Sequence, residues 1–281
     1  MARRSLIGAV AVSMVFGLAS IAAAAPPAGD VVSFLACPIA RDTGPDTDLC
    51  FFAEHDGTRY GLSGPPDWGS PQLRHRVLVE GRVVRGGSVC GGLAIEGRVS
   101  VIAELDASCD QVEPFDGSVK GVAGGVFNAG TPEQRAAARD LARRAEIDPR
   151  LSVEPVFPDG PAETPPAPPF SRQHLEILYP FDSDRGSGPD MQTLMRLVRY
   201  AQAAKARVEV GAYRGASKLA DGTVLTERAG MARDRAEKLA GILQGLGVAR
   251  DRIGVSWVET ARPADGDRSW RARRAIVDII P

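Results

Sequence analysis

Apolar and polar positions alternate in short bursts over the first part of the chain and recur at helical spacing over its last part. Between Val31 and Cys109 the runs VVSFLA, LCFFAEH, TRYGLSG, HRVLVEGRVV and RVSVIAEL are rich in branched and aromatic residues and have the length of strands. Asp56-Gly57, between the second and third runs, is a two-residue hairpin signal. Five strands in a stretch this short predict a small barrel-like β domain over residues 30–115, of a size compatible with the OB type. A connector follows over 116–157. In it TPEQRAAARDLARRAEID predicts a helix with Thr131 as cap, Pro132 in the first turn and Gln134 completing a capping box, and LSVEPVF adds a strand. The prolines of PDGPAETPPAPPF predict a stiff, extended linker over 158–171.

Beyond the linker the period changes. HLEILYPF reads as a strand, and PDMQTLMRLVRYAQAA carries Met191, Leu194, Met195, Val198 and Ala201 at helical steps. RVEVG is a second strand, and MARDRAEKLAGILQGLG a second helix, with Ala232, Ala236, Leu239, Leu243 and Leu246 on one side and Gly247 as its stop. RIGVSWV and RRAIVDII close the unit. The fold class is therefore α+β in two domains, the second a β-α-β-α-β-β sandwich over residues 172–281. The intervening GASKLADGTVLTERAG reads as a long loop.

Composition narrows the setting. A net charge of −1 over 281 residues excludes a nucleic-acid binder working by bulk electrostatics. Arg3-Arg4, the apolar run from Leu6 and the small residues before Pro26-Pro27 have the order of a secretory signal peptide, residues 1–24, with cleavage after Ala24; an uncleaved anchor is the rival reading. No cysteine follows that could carry a lipid, and no later segment could span a membrane, so the expected location is the periplasm or cell envelope. Cys37, Cys50, Cys90 and Cys109 then imply disulfides. Short local loops favour Cys37–Cys50 and Cys90–Cys109, each contributing about 3 kcal/mol through the unfolded chain. The spacing lacks CxxC, and His55, His75 and His174 are scattered, so no metal or other cofactor is expected.

Four further pieces carry a resemblance. Phe181-Asp182-Ser183 follows a strand; Val208-Glu209-Val210-Gly211 precedes a loop; MARDRAEKLAGILQGLGVARDRIGV places Arg235 in a helix; and Arg273-Arg274 opens the last strand. In this order the stretch 172–281 resembles the OmpA-like peptidoglycan-associated domain, also found at the ends of Pal-type and motor-stator proteins. The resemblance implies a non-enzymatic envelope protein that holds the diaminopimelate of the peptidoglycan stem peptide, an aspartate meeting its ammonium and the helix arginine, here Arg235, its carboxylate. The aspartate slot holds Arg214 instead.

Three readings of that exchange stay open. Asp221 or Glu227 supplies the carboxylate; or Arg214, Arg235 and Arg228 form an anion site, the last two sharing a side if the helix includes both; or the unit has lost ligand binding and serves as a packing or partner module. Tyr213 is a candidate for stacking on a ligand or for plain packing, Arg273 for the groove or for solvent, and Asp221-Gly222 also reads as a turn. Asp182 and Asp184 read as turn or cap residues, Arg233/Glu237 and Asp234/Lys238 as helix-surface pairs, and Tyr60 and Trp68 as core aromatics or as the lining of a ligand surface. No nucleophile–base constellation and no phosphate-cradling loop can be assembled; GGSVCGG is a disulfide-pinned turn.

Overall fold

The computed structural model describes residues 29–44, 49–62, 71–119, 166–186, 191–262 and 268–281. The signal segment, the connector's helix and strand, Trp68 and most of the proline linker lie outside the described residues.

The N-terminal sheet has seven strands: β1 (Val31–Ala36), β2 (Pro38–Arg41), β3 (Cys50–His55), β4 (Thr58–Gly61), β5 (His75–Val89), β6 (Gly92–Leu105) and β7 (Gln111–Glu113), ordered β1-β5-β6-β4-β3-β2-β7. The five expected strands are all present, and β3 turns into β4 through Asp56 and Gly57, both at positive φ (48° and 72°), the mirror-image turn that suits a hairpin. The sheet is open, however, and not a closed barrel. After β1 the chain corners at Cys37 into β2, which pairs with β3; the parallel β7 takes the flank of β2 that closure onto β1 would need. The sheet still curls. Phe34 of β1 stacks on His55 of β3 with ring centroids 4.4 Å apart, and Val32, Phe34, Ala53, Tyr60, Val77, Val79 and Val99 share one core.

The disulfides correct the expected pairing. They join Cys37 to Cys109 and Cys50 to Cys90. Strand geometry forbids the local alternative. Arg41 lies opposite Cys50, so Cys37, four residues earlier and just before β2 begins, is roughly 13 Å away at the strand rise, beyond disulfide reach. Cys90 is at the turn between β5 and β6, and Cys109 lies past the other end of the 14-residue β6. The observed bridges tie the curled sheet across strands far apart in sequence, 72 and 40 residues. Replacing Cys50 and Cys90 together by serine is expected to lower the unfolding free energy by about 4 kcal/mol, read by denaturant titration. Mapping of the unreduced chain should return the same two cross-linked peptide pairs.

The C-terminal unit follows the predicted order with one addition. Strands β8 (Gln173–Leu178), β9 (Arg207–Tyr213), β12 (Ile253–Val258) and β13 (Arg274–Ile280) make a sheet ordered β12-β9-β13-β8, with β12 parallel to β9. Helices α1 (Met191–Ala203) and α2 (Met231–Gly245) pack Leu194, Val198, Ala201, Ala236, Leu239 and Leu243 against Val208, Val210, Val277 and Ile279. Gly247, at φ +101°, ends α2 as its sequence position predicts. The addition is a small hairpin, β10 (Ala216–Lys218) and β11 (Val224–Thr226), where a loop is expected.

That hairpin brings the two sheets together. On β1, β5 and β6 one face carries Phe34, Val77, Val79 and Val99 into the N-terminal core. The alternate positions Ser33, Leu35, Leu78, Glu80, Ser100 and Ile102 form the opposite face, and the C-terminal unit covers it. Leu219 and Phe181 pack on Leu78 with Leu35, Ile102 and Leu225 around them. Ala220 N–H donates to the Ser33 carbonyl at 2.7 Å, and Phe181 N–H to the Ser100 hydroxyl at 3.0 Å. No helix among the described residues is long and apolar enough to cross a membrane.

Candidate functional site

The predicted centre is Arg235, one turn into α2. Its side chain runs under the end of β8, against the loop that leaves β9. Arginine has five N–H donors, and here each is accepted by the chain itself. Nε donates to the Ser183 carbonyl (2.9 Å), Nη1 to the Tyr213 carbonyl (3.0 Å) and to Glu227 Oε2 (2.9 Å), and Nη2 to the Pro180 carbonyl (3.3 Å) and to Glu227 Oε1. Arg235 and Glu227 are both 0% exposed. The carboxylate is equally satisfied, since it also accepts the backbone N–H groups of Asp182 (3.0 Å) and Gly215 (2.8 Å). The Tyr179 ring lies 4.7 Å from the guanidinium carbon, and burial pushes the Tyr179 phenol up to about 12 against the lowering effect of Arg235.

Arg214 does not share this chamber. Its Nε donates to the Glu227 carbonyl (2.6 Å) and its Nη1 to the Glu259 carbonyl (3.3 Å), so the cation is turned along the strand ends. The Glu259 carboxylate does different work. It accepts Gly230 N–H (3.0 Å) and Arg233 N–H (3.1 Å), capping the first turn of α2, where Gly230 has no side chain to do so.

The other predicted residues separate. Asp221 is a turn residue: its Oδ1 accepts Thr223 N–H at 2.8 Å, hydrogen bonds that hold the carboxyl below its ordinary range. It stands at the β10–β11 turn and makes no bond to Arg235. Arg228 precedes α2 and so does not share a helix side with Arg235. It is exposed and bonds Asp234 at 2.7 Å, which raises its pKa. Asp234 is thus diverted from Lys238, which pairs with Asp184 instead at 3.0 Å. Asp182 sits at φ +52° and caps the Arg228 N–H, as its turn reading expects. Tyr213 is half-buried with the guanidinium carbons of Arg262 and Arg274 each 5.4 Å from its ring centre, so its ring is engaged within the chain. Tyr60 is a core residue.

Arg273 is the larger surprise. It is 0% exposed and reaches out of its own sheet into the N-terminal one. Nη1 donates to Ser217 Oγ (2.7 Å) and Glu80 Oε1 (3.3 Å), Nη2 to Glu80 Oε2, and Nε to the Tyr179 carbonyl (3.4 Å). Ser217 in turn donates to Glu80 Oε1 at 2.7 Å. Gly215 makes room for this side chain, because a Cβ there would stand 2.6 Å from Arg273 Cγ. Nothing in the sequence marks Glu80: it is a charged residue at an alternate position of a strand, the ordinary pattern of a solvated face.

The site as folded is two buried ion pairs. One, Glu227–Arg235, lies inside the C-terminal unit; the other, Glu80–Arg273, joins it to the N-terminal sheet. Among the described residues no group of His, Cys, Asp and Glu is arranged to hold a metal ion.

Among solved structures, the chain is similar to the OmpA-like domain of FopA1 from Francisella tularensis, at 13% identity and a TM-score of 0.30, over 38% of this chain and 71% of that one. It is also similar to a MotB-like protein from Desulfovibrio vulgaris (11% identity, TM-score 0.30, 39% and 75% covered). A third similar structure is the periplasmic domain of Helicobacter pylori MotB (16% identity, TM-score 0.29, 38% and 74% covered). No family model and no curated protein matches the chain.

Proposed function

We propose that the protein is a non-enzymatic protein of the cell envelope whose OmpA-like unit acts as a docking body for its disulfide-stapled sheet and for a protein or anionic partner. In this reading it does not hold peptidoglycan stem peptides at Arg235. The resemblance of residues 172–281 points to the peptidoglycan-associated class of envelope domains, and the leader-like N-terminus with two disulfides fits an oxidising, exported setting. The observation that carries the reading is the full internal satisfaction of Arg235. Its five donors are accepted by protein atoms and its charge is matched by Glu227 at 0% exposure. A ligand carboxylate would have to displace Glu227, leaving that carboxylate buried and unpaired. Such an exchange costs several kcal/mol before any gain.

The test is co-sedimentation with purified peptidoglycan sacculi. The wild-type chain is expected to stay in the supernatant, with or without Arg214→Ala. Pelleting of the wild type that free diaminopimelate competes away would overturn the proposal.

A further inference from the structure

Strand β12 is an edge of the C-terminal sheet, with β9 on one side and no strand beyond it among the described residues. Its sequence, Ile253-Gly254-Val255-Ser256-Trp257-Val258, has no charge and no proline. Such devices normally keep an edge from pairing, and the opposite edge, β8, carries His174 and Glu176. Trp257 and Val258 are 43% and 45% exposed, and Ile242 on the neighbouring helix α2 is 39% exposed. Between α2 and β12 runs a groove of about 490 Å³ lined by Glu237, Gly241, Gln244, Arg250, Val255 and Trp257.

The backbone fixes what this edge offers. The Val258 carbonyl accepts Arg214 N–H, so Val258 faces β9. Alternate residues of a strand face the same neighbour, which puts Gly254 and Ser256 inward too and Ile253, Val255 and Trp257 outward. The Ile253 carbonyl is taken by Arg250 Nη1 at 2.9 Å. Val255 and Trp257 therefore present two N–H and two C=O groups to the open side.

We propose that a second copy of the chain occupies this edge, its β12 antiparallel to the first about a two-fold axis at Ser256. That register sets Val255 opposite the partner's Trp257, and Trp257 opposite the partner's Val255. All four outward groups on each copy are then used, and the two four-stranded sheets become one. The charges select a second copy over a foreign strand. Glu259, just after β12, caps the start of α2, and Arg250 precedes β12 just after α2 ends, so helix and strand run in opposite directions. Glu237 consequently lies toward the Trp257 end of the groove and Arg250 toward the Ile253 end. The two-fold turns Glu237 toward the partner's Arg250 and Arg250 toward the partner's Glu237. The groove is complementary to itself, as an isologous contact requires.

Sedimentation of the full chain over a concentration series should show a monomer–dimer equilibrium. Trp257→Lys should weaken it about 30-fold, the loss expected for an interface tryptophan, while the melt of the dilute, dissociated chain stays unchanged. Glu237→Arg alone and Arg250→Glu alone should each be monomeric where the wild type is dimeric, and an equimolar mixture of the two should dimerise, because both cross-contacts are then attractive. Ser256→Cys, on the axis, should cross-link to itself under mild oxidation. A wild type that is monomeric throughout the series would overturn the proposal. So would a dimer indifferent to Trp257→Lys, or singly swapped variants that the mixture fails to rescue. An edge that instead binds an extended foreign peptide would show as a monomer whose peptide affinity falls with Trp257→Lys.

Discussion

Replacing Glu227 by alanine is expected to lower the unfolding free energy by roughly 3–5 kcal/mol, the cost of stripping one partner from a buried ion pair. The guanidinium of Arg235 would keep its three carbonyl acceptors but lose the carboxylate it pairs with at a site with no solvent exposure. Two backbone donors, Asp182 N–H and Gly215 N–H, would be orphaned with it. Arg235→Ala should cost a comparable amount, since it leaves the carboxylate alone. The double change Glu227→Leu with Arg235→Met should recover only the part owed to the unpaired charge, because it removes both buried charges but leaves the Asp182 and Gly215 N–H groups and the three carbonyls without partners. The alternative behaves differently. An arginine kept open for a ligand loses binding on substitution and leaves stability nearly unchanged. Urea titration of the three variants separates the two cases. Glu227→Ala also leaves a carboxylate-sized space facing a cation, so added acetate should restore part of the stability in proportion to the logarithm of its concentration, while the wild type should not respond. An acetate-insensitive Glu227→Ala of wild-type stability would remove the idea that this pair is structural.

Much of the fold was legible because periodicity reports which face is buried. The strands at 31–36, 50–55 and 58–61, the two described helices and the four strands of the C-terminal sheet all fall where the apolar pattern places them. The errors have physical causes. β2 and β7 are only 4 and 3 residues long and carry no alternation to detect. The disulfides follow the curl of the sheet, and the local-loop preference knows nothing of register. The hairpin β10–β11 carries only a loop signal in sequence, because Asp221-Gly222 announces a turn while the two strands that flank it are three residues each.

The candidate site was legible in its residues and not in its wiring. The sequence picks out Arg235, and it admits Glu227 as a substitute carboxylate. It cannot show that the two meet at zero exposure, which is what turns a ligand site into a structural pair. The sequence shows Arg214 in the aspartate slot but not where its cation goes. It bonds the Glu227 and Glu259 carbonyls, because at a strand end the carbonyls left by the departing chain are the nearest acceptors. The widest gap is Glu80. Alternation correctly says that Ser33, Glu80 and Ser100 face away from the N-terminal core, but the same pattern serves water and a polar interface alike. Only the arrival of Arg273, nearly two hundred residues later in the chain (193 positions), distinguishes them.

Breaking that second pair is expected to separate the two sheets. Arg273→Ala leaves Glu80 at 3% exposure with only the Ser217 hydroxyl, and Glu80→Ala leaves a fully buried guanidinium with Ser217 and one carbonyl. Each should cost roughly 3–5 kcal/mol of stability by the same reasoning as for Glu227, but the loss should be distributed differently. The apolar contact between the sheets is small, Leu78, Phe181 and Leu219 with three partly buried neighbours, so it cannot hold the interface against an uncompensated buried charge. The disulfide-stapled sheet and the C-terminal unit each retain a core of their own. The expected melt is therefore two transitions, the lower one that of the C-terminal unit, where the wild type shows one. Reduction of the disulfides should shift only the transition of the N-terminal sheet. Trp270 supplies an independent reading: it is 8% exposed beside Arg98 of β6, 4.7 Å from its guanidinium carbon, and should become solvent-accessible as the sheets part. The control is Glu80→Leu with Arg273→Met, which removes both charges and should restore a single transition. If Arg273→Ala melts as one unit at the wild-type temperature, the ion pair is incidental and the sheets are joined by something other than this contact.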